Sequence, residues 1–340
     1  MSMKKHVNSP AELCSYGVID YKSLESIESV AEKFSVSISH GILSNPSPEV
    51  KSQYVPSVEE LNISSDELKD PIGDDAHSPV KGIVHRYPDR VLLKAIHVCE
   101  VYCRFCFRRE KVGRGKEILS SAELDSAIDY IRSNKSIFEV ILSGGDPLVM
   151  HPDKLKSIFA QLSGIPHVEV VRVHTRLPIA SPEKVTGKLL ESMETQKGLF
   201  VVLHCNNSEE VTPEVKVAMK SFIQKGIPLL SQSVLLKGIN DSTEKLEKLF
   251  RLLIANRVKP YYLHHPDKAQ GTSHFKVPVE KGIELTKSLR GKVSGICQPT
   301  YVLDIPGGKG KVPLGHNYLN QDDKKYEIED WQGNFHDYKD

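Results

Sequence analysis

The sequence lacks an apolar stretch long enough to cross a bilayer, and its start, Met1 to His6, leads into no hydrophobic signal core. It also lacks a charge excess, because 45 lysines and arginines almost balance 44 aspartates and glutamates. Nothing in this balance requires nucleic acid or an acidic membrane surface as a partner. We therefore expect a soluble, cytoplasmic protein with no nucleic-acid or membrane partner.

Cysteine is scarce, with six residues in 340, and three of the six stand alone: Cys14, Cys205 and Cys297. Isolated cysteines give no disulfide framework and are typical of buried apolar positions in a protein from a reducing compartment. The hydrophobic fraction of 39% is sufficient for one barrel-sized domain with or without an extension.

The other three cysteines form one motif, since Cys99, Cys103 and Cys106 follow an apolar run at 91–96 with the spacing C-x3-C-x2-C. Three thiolates on a 4Fe-4S cluster leave one iron without a protein ligand, which suits a cluster that acts on a bound small molecule. S-adenosylmethionine is the expected occupant, and the motif resembles the radical S-adenosylmethionine signature. The alternative is a zinc site completed by His97, but no second cysteine pair occurs downstream, and the spacing favours iron and sulfur.

Short apolar runs recur along the chain in a strand and helix alternation. They begin near 91, 138, 168, 199, 229 and 258, with intervals of about 30 residues from the second run onward. Helix signals lie between them: a capping box at Ser120 and Glu123, a Thr212-Pro213 start that ends at Gly226, and a helix over 241–256.

This alternation predicts a parallel α/β sheet with its site at the carboxyl ends of the strands. We expect an incomplete (β/α)6 TIM-like barrel over 86–318. Residues 1–85 are expected to form a mostly helical extension, and residues 319–340 a tail.

A second motif, Ser143-Gly144-Gly145-Asp146, ends the second predicted strand. Glycines at this point let the backbone approach a ligand closely, and Asp146 can accept a hydrogen bond from an ammonium group. The plain alternative is a tight turn. Its position one strand after the cysteines favours a contact with S-adenosylmethionine.

A third motif is the glycine loop from Asp304 to Lys311, whose spacing is not that of a Walker A loop. A lysine held on such a loop could form a Schiff base with pyridoxal 5'-phosphate, whose phosphate would need cations elsewhere. Arg86, Tyr87 and Arg90, just before the first strand, offer two guanidinium groups and a phenol. Each element alone is weak, because glycine loops are often turns and arginines often lie on a solvated surface.

In this order, the motifs resemble the lysine 2,3-aminomutase family in its short form, over nearly all of 70–318. The matching strings are HRYPDRVLL, CEVYCRFCFRR, LSGGDPL, QSVLLKGIND, VKPYYLHHPD, GTSHF and DIPGGKGK. The resemblance implies an isomerase that moves the α-amino group of an amino acid to the β carbon. The reaction starts from a 5'-deoxyadenosyl radical, and flavodoxin or ferredoxin is an expected electron donor.

The resemblance also implies roles for individual residues. Cys99, Cys103 and Cys106 hold the 4Fe-4S cluster, Lys311 carries pyridoxal phosphate, and Arg86, Tyr87 and Arg90 meet its phosphate. Arg108 binds the substrate α-carboxylate, and the S-adenosylmethionine site is lined by Ser143, Gly144, Gly145, Asp146, His204 and Gln232. Lys309 is a rival for the Schiff base, but its distance from Asp304 favours Lys311.

Two aspartates, Asp267 and Asp304, match the positions that face the side-chain ammonium in family members acting on lysine. A glutamate side chain would be repelled there, so we expect L-lysine as substrate and β-lysine as product. The alternatives are a 2,3-aminomutase for another amino acid such as glutamate, the same reaction serving β-lysylation of elongation factor P, and a non-catalytic iron-sulfur sensor. No cysteine follows Cys297, so zinc shared between subunits is not expected, and the oligomeric state stays open between a monomer and a homo-oligomer.

Overall fold

A computed structural model describes residues 6–113, 118–322 and 325–339. Within these ranges the chain forms eleven α-helices and twelve β-strands. Nine of the strands make one sheet, in which sequence neighbours are also spatial neighbours from β1 to β9.

The first part of the chain is helical and packs around its own small core. Serine side chains cap three of its four helices, since Ser9, Ser39 and Ser47 each accept a hydrogen bond from a first-turn backbone N–H. Its core, which includes Leu13 and Tyr54, also contains Val101 from the cysteine motif, so the extension packs directly against that loop. The helices are α1 (Pro10–Ser15), α2 (Leu24–Lys33), α3 (His40–Ser44) and α4 (Pro48–Lys51).

Seven strands of the large sheet run parallel, with an antiparallel strand at each edge. Their bounds are β1 (Ile83–Tyr87), β2 (Arg90–Ile96), β3 (Glu139–Gly144), β4 (Val170–Thr175), β5 (Gly198–His204), β6 (Leu229–Val234), β7 (Val258–His264), β8 (Thr300–Ile305) and β9 (Gly310–Pro313).

Helices connect the parallel strands. Each presents an apolar stripe to the sheet, as Leu124, Ile128 and Ile131 do on α5, and together these stripes make one continuous core. The helices are α5 (Ser121–Ser133), α6 (Pro152–Ser163), α7 (Leu177–Ala180), α8 (Gly187–Glu191), α9 (Pro213–Gln224), α10 (Thr243–Ala255) and α11 (Val279–Leu289).

The fold class predicted from the sequence is confirmed. The six predicted runs are β2 to β7, and each is followed by a helix before the next strand begins. The capping box at Ser120 and Glu123 forms, Thr212 caps α9, and Gly226 just after that helix has a φ of 73°. Local signals were sufficient here because each depends on residues close together in the chain.

The sequence reasoning did not find the edge strands β1, β8 and β9. Strand β8 is a seventh parallel strand, and only Tyr301 and Val302 of its six residues are buried. β9 pairs with β8 as a hairpin across the glycine loop. The run is short and its burial does not alternate, so it gives little periodic signal, and its pairing with β7 depends on a neighbour about 40 residues away in sequence.

The two edges of the sheet approach each other. The hydroxyl oxygen of Tyr87 on β1 accepts a hydrogen bond from the backbone N–H of Lys311 on β9, at 2.7 Å. The sheet therefore curves into a nearly closed barrel, and a side chain bridges the gap between its edge strands.

Beyond the barrel, three strands form a separate antiparallel sheet: β10 (Leu319–Asp322), β11 (Lys325–Glu329) and β12 (Phe335–Tyr338). This sheet contacts the barrel through Lys287, whose ammonium lies 2.6 Å from Glu329. In the part of the chain that the structure describes, no helix is long and apolar enough to span a membrane.

Candidate active site

The barrel encloses a cavity of about 920 Å³. Every residue to which the sequence analysis assigned a site role lines it. These residues are Arg86, Tyr87, Arg90, Cys99, Cys103, Cys106, Arg108, Ser143, Gly144, Gly145, Asp146, His204, Gln232, Asp267, Asp304 and Lys311. Residues up to 225 positions apart thus share one space, as expected for the loops and strand ends of a parallel barrel.

The cysteine loop leaves β2 and is fixed to the N-terminal extension by buried charges. The carboxylate of Glu60, which is fully buried, accepts hydrogen bonds from Arg104 Nε at 2.9 Å and from Arg109. Arg104 Nη1 also donates to the carbonyl of Ser35 at 2.6 Å. Two arginines beside the cysteines are therefore both paired with Glu60, and this pairing sets the loop conformation.

Burial raises the pKa of all three motif thiols, that of Cys103 to about 12. A bound metal cation would offset the free-energy cost of burying the thiolates, because a thiol that coordinates a metal is deprotonated. Among the described residues, no group of three or more His, Cys, Asp or Glu side chains is placed to hold a single metal ion. The thiols of an iron-sulfur cluster each meet a different iron and need not converge on one point, so the three cysteines fit such a cluster.

The other cysteines match the sequence interpretation in part. Cys205 and Cys297 are buried in the barrel core. Cys14 on α1 is only partly buried, so the interpretation as a buried apolar residue is wrong for that position.

The glycines of the second motif let two chain segments pass closely. A Cβ on Gly144 would lie 2.9 Å from the carbonyl oxygen of Ile96, and one on Gly145 would clash with the carbonyl of Val98. Gly145 N–H donates to Ile96 at 2.7 Å. The glycines therefore hold the end of β3 against the start of the cysteine loop, a structural reason beside the predicted approach to a ligand.

Asp146 is buried and its carboxylate accepts four hydrogen bonds. One oxygen binds Thr175 Oγ1 at 2.7 Å and the backbone N–H of Leu148 at 3.0 Å, and the other binds the N–H groups of Arg176 and Leu177 at 2.7 and 2.9 Å. Burial raises its pKa, and these donors offset part of the rise. Its acceptor sites are filled by protein donors, so a ligand ammonium at this place would meet it as a charge and not as a free acceptor.

Arg176, which the sequence analysis missed, lines the cavity beside the cysteines. Its guanidinium binds Tyr54 OH at 2.5 Å, Gln53 at 2.7 Å and Glu210 at 2.6 Å, while its Nη1 has no hydrogen-bond partner among the described residues. A buried, unpartnered N–H of a permanent cation at the cavity wall suits an anionic ligand group. No local pattern marks it, because its partners come from the turn after α4 and from the segment after β5.

The glycine loop is the turn of the β8 and β9 hairpin. Asp304 and Lys311 are directly paired across it, and their side chains form an ion pair. Gly307, Gly308 and Gly310 have φ angles of 78°, 79° and 101°, which only glycine adopts without strain. The turn chemistry thus places the lysine beside the aspartate.

Lys311 also lies 3.3 Å from His264 Nδ1. Burial and the nearby Lys311 ammonium lower the pKa of His264, which keeps this imidazole neutral. Lys309 is exposed on the turn and does not line the cavity. Of the two lysines considered for the Schiff base, the geometry favours Lys311.

Asp267 follows β7 and faces the same space as Asp304. Burial and repulsion from Asp304 raise the pKa of Asp267 to about 7, although Lys311, Arg108 and Arg86 lower it. For Asp304, burial raises the pKa, but hydrogen bonding to His264 and the Lys311 charge bring it below its ordinary value. The two aspartates are therefore electrostatically coupled. Among the described residues, Asp304 is paired with Lys311 and lies 3.8 Å from Arg86 Nη1, whereas Asp267 has no ion pair.

The predicted phosphate cradle lies at the end of β1, with Arg86 and Tyr87, and at the start of β2, with Arg90. Arg90 stacks on the Tyr87 ring at 3.9 Å and pairs with Asp89 at 2.7 Å. Arg86 donates to the carbonyl of Ile72 at 2.5 Å, and its Nε has no partner among the described residues. This unpartnered donor and the partly exposed Arg90 fit a phosphate group.

Arg108, predicted to bind a carboxylate, is held by Asp74. Its Nε donates to Asp74 at 2.8 Å, and its Nη1 lies 3.4 Å from Ser143 Oγ. Asp74 is 1% exposed and lies in the N-terminal extension, where sequence reasoning had no periodic or motif signal for it.

A neutral polar layer crosses the barrel interior. Gln232 contacts His204 and lies 3.4 Å from His174 Nδ1. Burial lowers the pKa of both histidines well below the usual value. His174 Nε2 has no partner among the described residues, so this layer can accept or donate hydrogen bonds to a ligand without adding charge.

The fold and site define an α/β barrel enzyme class, a nearly closed parallel barrel with a three-cysteine loop at the carboxyl end of its first parallel strand. A family model described as lysine-2,3-aminomutase matches residues 286–340. L-lysine 2,3-aminomutase of Clostridium subterminale is 40% identical over 85% of this chain and 70% of its own length. Glutamate 2,3-aminomutase of Clostridioides difficile is 36% identical over 92% of this chain and 75% of its own length.

The chain belongs to the lysine 2,3-aminomutase family and is therefore an isomerase. L-lysine 2,3-aminomutase of Bacillus subtilis is 40% identical, and the alignment spans 62% of that relative. Among solved structures, a radical SAM methyltransferase from Sphaerobacter thermophilus has 19% identity and a TM-score of 0.44, covering 65% of this chain and 68% of its own.

Proposed function

We propose that the protein is a pyridoxal phosphate-dependent radical S-adenosylmethionine enzyme that moves the α-amino group of L-lysine to the β carbon. One observation carries the proposal: the three thiols, Lys311 and the aspartate pair of Asp267 and Asp304 line the same cavity. A radical generated at a cluster must reach its target without crossing water, which requires cofactors and substrate in one enclosed space.

In this proposal Cys99, Cys103 and Cys106 hold a 4Fe-4S cluster that supplies an electron to S-adenosylmethionine. The saturated Asp146 fixes the end of β3 beside the cluster. Arg176, with an unpartnered Nη1, is suited to the carboxylate of S-adenosylmethionine. The neutral Gln232 and His204 fit its uncharged parts.

Pyridoxal phosphate would be held by Lys311 through Nζ and by Arg86, Tyr87 and Arg90 at its phosphate, and it would supply a carbonyl for imine chemistry at the migrating nitrogen. The neutral His264 lies next to Lys311 Nζ and can accept a proton from it. Arg86 Nη1 lies 3.8 Å from Asp304 and is a second cation beside the aspartate pair.

The charges in the cavity favour lysine. Asp267 and Asp304 bring two carboxylates toward a substrate side chain, which stabilises an ammonium group and repels a carboxylate. Arg108, which lines the same cavity, supplies a guanidinium for the α-carboxylate. The cavity therefore offers both an anionic pair and a cation, the two charges that an amino acid with a basic side chain requires.

The test is an anaerobic reaction of reconstituted protein with S-adenosylmethionine, pyridoxal phosphate, a reductant, and equimolar lysine and glutamate. Mass-detected chromatography resolves α from β isomers. β-Lysine alone is the expected result. β-Glutamate would overturn the substrate assignment, and no product from protein with all cofactors bound would overturn the reaction and favour the sensor alternative.

A Cys103→Ala variant and a Cys14→Ala control test the cluster assignment by iron content. We expect the first to lose iron and the second to keep it. Use of the product in β-lysylation of elongation factor P, the flavodoxin or ferredoxin donor, a homo-oligomer, the domain limits at 85 and 318, and a cytoplasmic location stay predictions.

A further inference from the structure

Asp74 is a buried carboxylate on which three cations converge. Its oxygens lie 2.8 Å from Arg108 Nε, 3.5 Å from Arg86 Nη2 and 3.8 Å from Lys94 Nζ. Burial alone would raise the pKa of Asp74, but the charge and hydrogen bond of Arg108, together with the other two cations, hold it below its ordinary value. One negative charge is thus shared by three positive ones.

The position of this carboxylate is fixed by its own segment. The carboxylate of Asp70 accepts hydrogen bonds from the backbone N–H groups of Asp74 at 2.9 Å and Asp75 at 2.8 Å. Ser78 Oγ donates to the carbonyl of Asp74 at 2.7 Å. A carboxylate on a backbone held at both sides has little freedom to follow a moving arginine.

The same segment packs against the hairpin that carries Lys311. A Cβ on Gly73 would lie 2.6 Å from the backbone nitrogen of Gly308, and His77 Nε2 lies 3.0 Å from the Gly308 carbonyl. Residues 70–78 therefore connect the arginines to the lysine hairpin, and Asp74 sits at the point of contact.

This pairing orients Arg108. Asp74 occupies its Nε–H and Ser143 lies near its Nη1, so the guanidinium plane is fixed while Nη2 makes no hydrogen bond to the described residues. A carboxylate binds best to a guanidinium held in one plane, since both of its oxygens must meet N–H groups. The positive charge left over after pairing with Asp74 attracts an anion to the same place.

We propose that Asp74 is a positioning residue for substrate recognition: it fixes Arg108 so that the guanidinium meets the α-carboxylate of the amino acid. The inference rests on the proposed function, because it assigns the ligand of Arg108. It adds a residue of the N-terminal extension to the specificity of the barrel site.

The experiment compares Asp74→Asn with Asp75→Asn, its neighbour. Asp75 has a side chain that is 68% exposed and pairs with Lys111 on the surface, so it is a matched control. Protein reconstituted without S-adenosylmethionine cannot turn over, and calorimetry then gives dissociation constants for lysine and for 1,5-diaminopentane, which lacks the α-carboxylate. KM and kcat for lysine are measured separately on the complete enzyme.

We expect Asp74→Asn to weaken lysine binding and raise KM by about tenfold or more, since misplaced guanidinium groups lose oriented contacts. The affinity for 1,5-diaminopentane should stay within about twofold of the wild type by the same reasoning, because that ligand does not use Arg108. Asp75→Asn should match the wild type for both ligands.

Equal lysine affinity in the two variants would overturn the inference. An equal loss of affinity for lysine and for 1,5-diaminopentane in Asp74→Asn would also overturn it, because such a loss would mean a general structural role. If Asp74→Asn does not fold, Asp74→Glu keeps the charge but moves the carboxylate, and it must show the same selective loss for lysine. A wild-type protein that binds neither ligand would instead refute the proposed function.

Discussion

Asp146 is a buried carboxylate and Asp267 a half-buried one, both at the carboxyl ends of barrel strands, and burial raises the pKa of both. Asp146, beside the cysteine loop, accepts four hydrogen bonds from the protein. Asp267, near the lysine hairpin, accepts none to its carboxylate from the described residues and faces the like charge of Asp304. The protein supplies hydrogen bonds to the carboxylate of Asp146, whereas the carboxylate of Asp267 is available to a ligand.

The difference extends to the two halves of the cavity. On the cysteine side, Glu60 with Arg104 and Glu210 with Arg176 are buried pairs that hold loops in place. On the hairpin side, Asp304 is paired with Lys311, whereas Asp267 faces the cavity and its carboxylate accepts no hydrogen bond from the described residues. In the proposed function, the paired groups beside the cysteines position a cofactor, and Asp267 is available to the substrate.

The largest expected effect comes from the hairpin side. Lys311→Ala should reduce turnover by at least about a thousandfold, because it removes the nucleophilic amine proposed to hold pyridoxal phosphate. Borohydride reduction followed by mass spectrometry should find no pyridoxyl label in this variant. Lys309→Ala, exposed on the same turn, is the control and should keep both label and turnover; a labelled Lys311→Ala would refute the assignment.

Asp267→Asn should lower kcat/KM for lysine by about 100-fold, since one partner of a buried charge pair with the substrate ammonium is lost. The control is Asp66→Asn, a surface carboxylate 3.1 Å from Lys268. Steady-state kinetics of both variants make the comparison. Unchanged kinetics in Asp267→Asn would remove the main argument for lysine over glutamate.

Asp146→Asn should lower the free energy of unfolding. An amide turns an N–H donor toward backbone N–H groups, so at least one buried hydrogen bond is lost, at a cost of about 2–4 kcal/mol in the free energy of unfolding. Urea unfolding of this variant, compared with the exposed Asp129→Asn on α5, measures the cost. A loss of less than half of this would mean that the four hydrogen bonds do not stabilise the loop.

The smallest effect is the pH dependence caused by Asp267. Its folded pKa, about 7, lies above the ordinary value of 3.8. Its contribution to stability is therefore full below about pH 4 and is lost as the pH rises through about 7. Relative to Asp267→Asn, the ligand-free wild type should lose roughly 1–2 kcal/mol between these limits, allowing for solvent screening; parallel pH profiles would contradict the raised pKa.

The sequence by itself determined the features that depend on neighbours in the chain. The cysteine spacing, the caps of α5 and α9, the six strand and helix units, and the glycine turn between Asp304 and Lys311 are local patterns with a local physical cause. The family strings also placed all the predicted site residues, which the barrel brings to one cavity.

Only the tertiary structure showed the groups whose partners are distant in sequence. Asp74 meets Arg108 across 34 residues, and Arg176 meets Tyr54 across 122. It also showed that Asp146 is saturated with donors and that Tyr87 bridges the barrel edges. Side-chain pairing across a fold follows from where the backbone brings residues together, and no spacing or periodicity in the sequence carries that information.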